Sequence, residues 1–351
     1  MDRSGSAPHA PVADARDGSP PLRLRLALAL ALGVLGATLC FVWTKANPIP
    51  DFAFFHYAAR VWRAGGDPYL QGFPLAAAPG RLARTEPYYY PLPAAIAIAP
   101  FASLPVAVAA ACFVGISTAL LAYALLRDGD RHLPAFAGAG FLVAAGLGQW
   151  SPLVLAASLL PALRWLVVVK PNLGVALTAA RPTRVAVLGG AAVLLASVAL
   201  MPSWPAEWRA NVALLPRHPP PVLVPGGALA LLALTRWRRP EARLLVAMAC
   251  VPQLLFFADQ LPLWTVPRSR RESMALSATS LVAWALALRA AAHAAPGTDA
   301  AAPAFAAAPY VLAGVYLPAL VMVMRRPNEG DVPAWVERAV GRLRLRRAVA
   351  R

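Results

Sequence analysis

From Leu26 to Trp43 the chain carries no charged residue, and the apolar run that contains this stretch, Leu22 to Trp43, decides what the protein can fold into. As a helix rising about 1.5 Å per residue it reaches roughly 33 Å, enough to cross a hydrocarbon core of about 30 Å. Arg23 and Arg25 resemble the basic start of a cleaved signal peptide, but the run is long and no small-x-small cleavage site precedes Asp51. A retained first membrane span is therefore expected.

Composition extends that reading to the whole chain. It is 59% hydrophobic and only 14% charged, with a mean hydropathy of +0.57, away from the balance of soluble domains. The net charge of +17 invites a nucleic-acid reading. The basic residues, however, fall in short clusters between apolar runs, which suits a positive-inside bias and no nucleic-acid partner. Cys40, Cys112 and Cys250 all lie in apolar segments without metal or disulfide spacing. The fold class expected is all-α: a polytopic bundle of about eight to eleven membrane segments in a multi-pass inner (cell) membrane protein.

Residues 1–21, rich in Pro, Ser, Asp and Gly, read as a disordered cytoplasmic leader. Residues 22–324 read as the membrane domain and 325–351 as a basic cytoplasmic tail touching anionic lipid. The connection 44–90 is unusually long, and such loops are functional more often than accidental. Within it Phe52, Phe55, Ala59 and Trp62 repeat at helical spacing with Arg60 and Arg63 on other faces, predicting an amphipathic helix on the membrane that ends at Gly65 and Gly66.

Further spans are expected near Pro105–Leu126, Val185–Met201, Val222–Leu234, Leu244–Phe257, Met274–Leu288 and Ala304–Met324. Basic residues flank 164–184 on both sides, which favours a re-entrant hairpin with Lys170 near its deep end. Placing Arg268–Arg271 on the cytoplasmic side with the other basic clusters requires Ala258-Asp259-Gln260 to be a partial excursion into the membrane.

Five motifs occur in order: Asp51-Phe-Ala-Phe-Phe-His56-Tyr, Gly66-Asp67-Pro68-Tyr69, Tyr90-Pro91-Leu92-Pro93, Gly148-Gln149 and Lys170-Pro171. Together, over roughly residues 22–290, they resemble bacterial glycosyltransferase family 87, polyprenol-phosphate-mannose-dependent mannosyltransferases of the GT-C superfamily. The resemblance implies a GT-C-like bundle with its active site facing the extracytoplasmic side. It also implies an inverting transfer of a hexose, most plausibly mannose, from a polyprenyl-phosphate sugar donor to a glycan or glycolipid acceptor. The acidic residue of the first outer loop is the family's general base, here Asp51.

The chemistry can be stated without the family. An acceptor hydroxyl must lose its proton as it attacks the anomeric carbon, and one carboxylate within hydrogen-bond reach serves. Phosphate is a good leaving group, so the second acid of glycoside hydrolysis is not required. It needs positive charge, for which Lys170 leads over Arg217 and His218. Gln149, Tyr90, Asp67 and His56 complete the expected substrate contacts. Without a clustered acidic or His/Cys set, metal and cofactor independence is expected.

Each of these residues also has a purely structural reading. Asp51 after Pro50 suits a helix N-cap, Asp67 a turn, the tyrosines an interfacial anchor, and Lys170 a snorkelling cation. Asp259 and Gln260 read either as a second polar contact in the site or as an exposed loop tip. Two rival functions stay open: a transporter or flippase of lipid-linked sugar, which broken helices would suit, and a catalytically degenerate assembly partner.

Overall fold

The computed structural model describes residues 20–46, 51–75, 84–215, 218–293 and 306–330, together with 332 and 338. The expected leader and most of the expected tail lie outside these. The described chain is mostly helical, and three helices are long and apolar enough to cross a membrane: Leu22–Ala46 (α1), Val106–Asp128 (α5 with a terminal 3-10 turn) and Arg270–Ala292 (α12). Counting each of two sharply bent helix pairs as one crossing raises this to five. The chain is accordingly described as a helical membrane protein.

Close approach of backbones holds α1 to α5 (Val106–Leu125). The buried stripe of α1 is Ala29, Gly33, Gly36, Cys40 and Thr44, whereas Leu30, Val34, Leu35 and Val42 point outward. With lipid as apolar as leucine, helices gain little by burying large side chains and associate through small ones that let backbones meet. A Cβ on Gly36 would stand 2.6 Å from Thr118 Oγ1, so the interface has no room for a side chain there.

The long first connection folds rather than trailing. It contains α2 (Asp51–Arg63), α3 (Pro68–Gln71) and a hairpin in which β1 (Phe73–Leu75) pairs antiparallel with β2 (Arg84–Glu86). The predicted apolar stripe of α2 is buried against protein, with Phe52, Phe55 and Ala59 almost fully enclosed and Arg60 exposed. Residues packed around it include Tyr89, Tyr90 and Phe113. The chain re-enters through α4 (Leu92–Ile98) and runs on to α5.

Between α5 and α12 the chain is broken into shorter helices. α6 (Ala139–Leu147) and α7 (Ser151–Leu159) meet at a 117° bend. A 3-10 helix, Pro161–Val169, and α8 (Pro171–Ala180) form a hairpin around Lys170. α9 (Val185–Leu200) turns through 101° into α10 (Trp204–Leu214), and a 3-10 helix, Gly227–Arg236, leads to α11 (Pro240–Cys250). The span expected over Leu244–Phe257 is not one element. α11 stops at Cys250 ahead of Pro252, and Phe257 opens a separate 3-10 helix, Phe257–Thr265. α12 and α13 (Ala308–Met324) complete the described helices.

The basic clusters converge on one end of the molecule. Arg270 pairs with Asp130 at 3.4 Å, Arg243 Nε donates to the carbonyl of Ala180, and Arg236 Nε donates to that of Arg326. Glu241, 7% exposed, accepts from Arg239 at 3.2 Å and pairs with Arg268 at 3.1 Å and Arg326 at 3.3 Å, while Arg326 also reaches Glu272. Asp51 lies toward the other end of α5, where α2 packs against the start of that helix.

Burial alone would raise the Glu241 pKa. Its own backbone amide and the guanidiniums of Arg268, Arg326 and Arg239 outweigh it and hold the carboxyl below its usual range. A depressed folded pKa contributes stability above the unfolded value, and that stability is lost as pH falls through the folded one. Glu241→Ala should lower stability by about 3 kcal/mol or more by leaving buried guanidiniums unpaired. Thermal unfolding in detergent at neutral pH should show the loss, and the gap to wild type should narrow in acid.

Candidate functional site

A pre-proline residue is pushed out of the helical region, and Lys170 before Pro171 is no exception, with φ −133° and ψ 87°. Its side chain is therefore delivered at the tip of a hairpin, where it is 5% exposed. A buried ammonium needs an anion. Lys170 Nζ donates to Asp259 Oδ1 at 2.5 Å, with the two side chains 7% and 13% exposed. Asp259 comes from the 3-10 helix Phe257–Thr265.

Gln149 arrives by a different local device. Gly148 adopts φ +68°, a left-handed conformation that closes α6; Gly148 N–H donates to Ala145 and Gln149 N–H to Ala144. This Schellman pattern fits glycine, and a Cβ at Gly148 would meet Phe52 Cβ at 2.6 Å. The bend turns Gln149 toward α2. Its Nε2 donates to Asp51 Oδ2 at 2.6 Å, and its Oε1 accepts from Lys170 Nζ at 3.1 Å. Ser151 Oγ donates to Asp259 Oδ1 at 3.4 Å.

The result is one connected chain: Asp51, Gln149, Lys170, Asp259 and Ser151. Asp51, the first residue of α2, is exposed as a residue although protein is packed around its carboxyl. That packing raises its pKa, the Gln149 hydrogen bond and the Lys170 charge work against the rise, and the Asp259 charge adds to it. Burial likewise raises Glu86 on β2, with the Asp51 charge adding to the shift.

Tyr90 sits edge-on to Phe55 at 4.7 Å. Burial first, then the charges of Asp259, Asp51 and Glu86, push its phenol well above its usual range and keep it a hydrogen-bond donor. Tyr89 experiences the same carboxylates.

Of the residues expected from sequence, Asp51, Gln149 and Lys170 are thus joined by hydrogen bonds, and Tyr90 stands within their electrostatic reach. Asp67 and His56 are placed elsewhere. Asp67 caps α3, accepting from the amides of Tyr69 at 2.8 Å and Leu70 at 3.3 Å, and faces Glu207 of α10. His56 lies five residues after Asp51, about 140° around the helix, packed on Phe52 and the backbone at Phe101 and Leu104. Burial lowers its pKa below the usual imidazole value, against the backbone at Phe101 and Leu104. His218 lies in the connection after α10, and Arg217 falls outside the described residues.

Asp259 and Ser151 belong to the site, although sequence reasoning kept the first outside the core set and passed over the second. The signal for Asp259 was a lone carboxylate between Phe257 and Leu263, as costly to bury as Lys170 and relieved by the same pairing. Among the described residues no set of three or more His, Cys, Asp or Glu is placed to hold a metal ion. Two cavities lie elsewhere. One lies between α7, α8 and α11 beside Arg181, and the other, about 220 Å³, lies between Gly226, Leu229, Leu312 and Tyr316.

The Lys170–Asp259 pair sets a stability expectation. Asp259→Leu or Lys170→Met alone should cost about 3–5 kcal/mol, because each strands a buried charge, and the double substitution should recover much of that loss. Unfolding of the three variants in one detergent, arranged as a double-mutant cycle, measures the coupling. No protein-family model, curated protein or solved structure matches this chain.

Proposed function

We propose that the chain is a membrane glycosyltransferase of the family 87 type, moving a hexose, mannose by preference, from a polyprenyl-phosphate sugar to an extracytoplasmic glycan or glycolipid acceptor with inversion. The observation that carries this reading is the hydrogen-bonded series Asp51, Gln149 and Lys170, three residues from separate motifs with the base and the cation in one network. The resemblance of those motifs supplies the substrate class. The active site faces away from the arginine-rich end, which by charge bias is cytoplasmic in an inner-membrane protein.

In this mechanism the acceptor hydroxyl gives its proton to Asp51 as its oxygen bonds to the anomeric carbon. The bond from that carbon to the phosphate oxygen breaks on the opposite face, and the electron pair leaves with the polyprenyl phosphate. Lys170 has three N–H donors, of which Gln149 and Asp259 take two. The third is available to the donor phosphate. Tyr90, held protonated, supplies a further donor to an oxygen of donor or acceptor. Burial raises the pKa of Asp51, which makes it a stronger base than an exposed carboxylate.

A second reading has its own support. The bends of 117° and 101° break two apolar helix pairs, and broken helices of this kind would suit a flippase of lipid-linked sugar. A catalytically silent assembly partner is the third outcome. Membranes supplied with radiolabelled polyprenyl-phosphate mannose separate the three: an enzyme makes labelled glycan or glycolipid, a flippase only relocates the lipid, and a partner does neither. Asp51→Asn should lower transfer by at least about 1000-fold while leaving expression and membrane insertion near wild type. Full activity in that variant would remove Asp51 as the base.

A further inference from the structure

The hydrogen bonds of the site run outward from Lys170, to Asp259 on one side and through Gln149 to Asp51 on the other. The Asp259 carboxylate can only accept, the Lys170 ammonium can only donate, and Gln149 does both through different atoms. With an ammonium on one side and a carboxylate on the other, the Gln149 amide has one favourable orientation: oxygen toward Lys170, NH2 toward Asp51. Reversed, its NH2 would face the cation and its oxygen the Asp51 carboxylate. The amide engages Oδ2 of Asp51, leaving Oδ1 as the oxygen for a substrate proton.

We propose that Asp259 is a positioning residue: through Lys170 it fixes the amide of Gln149, and thereby the orientation and charge of Asp51. Asp259 bonds to Lys170 and Ser151 and acts on Asp51 through charge rather than a direct hydrogen bond. Its own support is independent of the site, since Trp264 of the same 3-10 helix packs on Gly138 and Gly140 and donates to Ser277 Oγ at 2.9 Å. The adjacent Gln260, fully buried, donates to Gln253 Oε1 at 3.1 Å and accepts from the Tyr316 hydroxyl at 3.0 Å. The carboxylate that aims Lys170 is thus anchored to α6, α12 and α13, and the base is reached only at the third link.

The charged and titratable groups around Asp51 are Lys170 from the hairpin, Asp259 from the 3-10 helix, Glu86 from β2, and the phenols of Tyr89 and Tyr90. Asp259→Asn keeps an oxygen for Lys170 and removes only the charge. Asp51 then loses a repelling carboxylate and gains an uncompensated cation, both favouring its ionised form, so its titration midpoint should fall. Lys170→Met removes the attraction and the constraint on the amide, so the midpoint should rise.

The test is an infrared pH titration of the Asp51 carboxyl in the full chain in lipid nanodiscs, with Asp51→Asn as the difference reference. Opposite shifts of about one pH unit or more for D259N and K170M are expected. Shifts of the same sign, or none, would overturn the proposal. Should D259N fold poorly, the double variant K170M/D259N, which strands no full charge, should give a midpoint above wild type and below K170M alone; a midpoint outside that interval overturns it equally.

The activity arm rests on the glycosyl-transfer reading: the acid limb of transfer rate against pH should move with the infrared midpoint. If wild type transfers no sugar, that reading falls and the titration still decides the relay. If wild type transfers sugar and the infrared midpoints move while the limb stays fixed in both variants, the relay stands and Asp51 falls as the base. If neither moves, the relay falls and Asp51 can still be the base.

Discussion

A buried ammonium paired with a buried carboxylate organises this structure. Lys170 and Asp259 stand 89 residues apart in sequence and meet at 2.5 Å. Each would be costly to bury alone, so the hairpin that carries one and the 3-10 helix that carries the other are energetically committed to one another. Once Lys170 is held, Gln149 has one favourable amide orientation, and once Gln149 is oriented, Asp51 has a fixed neighbour. The site is therefore a consequence of electrostatic satisfaction of buried charge, assembled from pieces too short to cross a membrane by themselves.

The two ends of the molecule use charge differently. At one end many guanidiniums surround few carboxylates, with Glu241 at the centre, and the excess positive charge can face water and anionic headgroups. At the other, Asp51, Glu86 and Asp259 share the neighbourhood of one lysine, and burial, with neighbouring carboxylate charge adding to it, raises the proton affinities of Asp51 and Glu86. Raised proton affinity is useful to a base and unhelpful to an anionic donor. The phosphate would have to be met by the remaining proton of Lys170 and by the phenols.

Much of the fold was legible because membrane solvation acts on composition directly. The α1 span, the α2 helix ending at Gly65, the apolar helix over 106–125 and the hairpin with Lys170 at its tip all follow from apolar length, breakers and the placement of arginines. The failure at Leu244–Phe257 has a local cause: periodicity does not reveal that Val251 and Pro252 end a helix whose apolar run continues beyond them. The apolar stripe of α2 was also visible, but not its partner, since an amphipathic helix looks the same whether its face meets lipid or protein.

Sequence alone established a helical membrane protein, one set of basic segments belonging together, and Asp51, Gln149 and Lys170 as polar residues misplaced for mere solvation. It could not say which of them touch, because hydrogen bonds between residues 98 or 89 positions apart depend on where several bends point. Only the tertiary structure set Asp67 and His56 apart from the site, one as the cap of α3 and the other packed on Phe52. It also gave Lys170 its anion from within the chain. The physical reason is that burial cost marks a residue as needing a partner, while geometry alone chooses the partner.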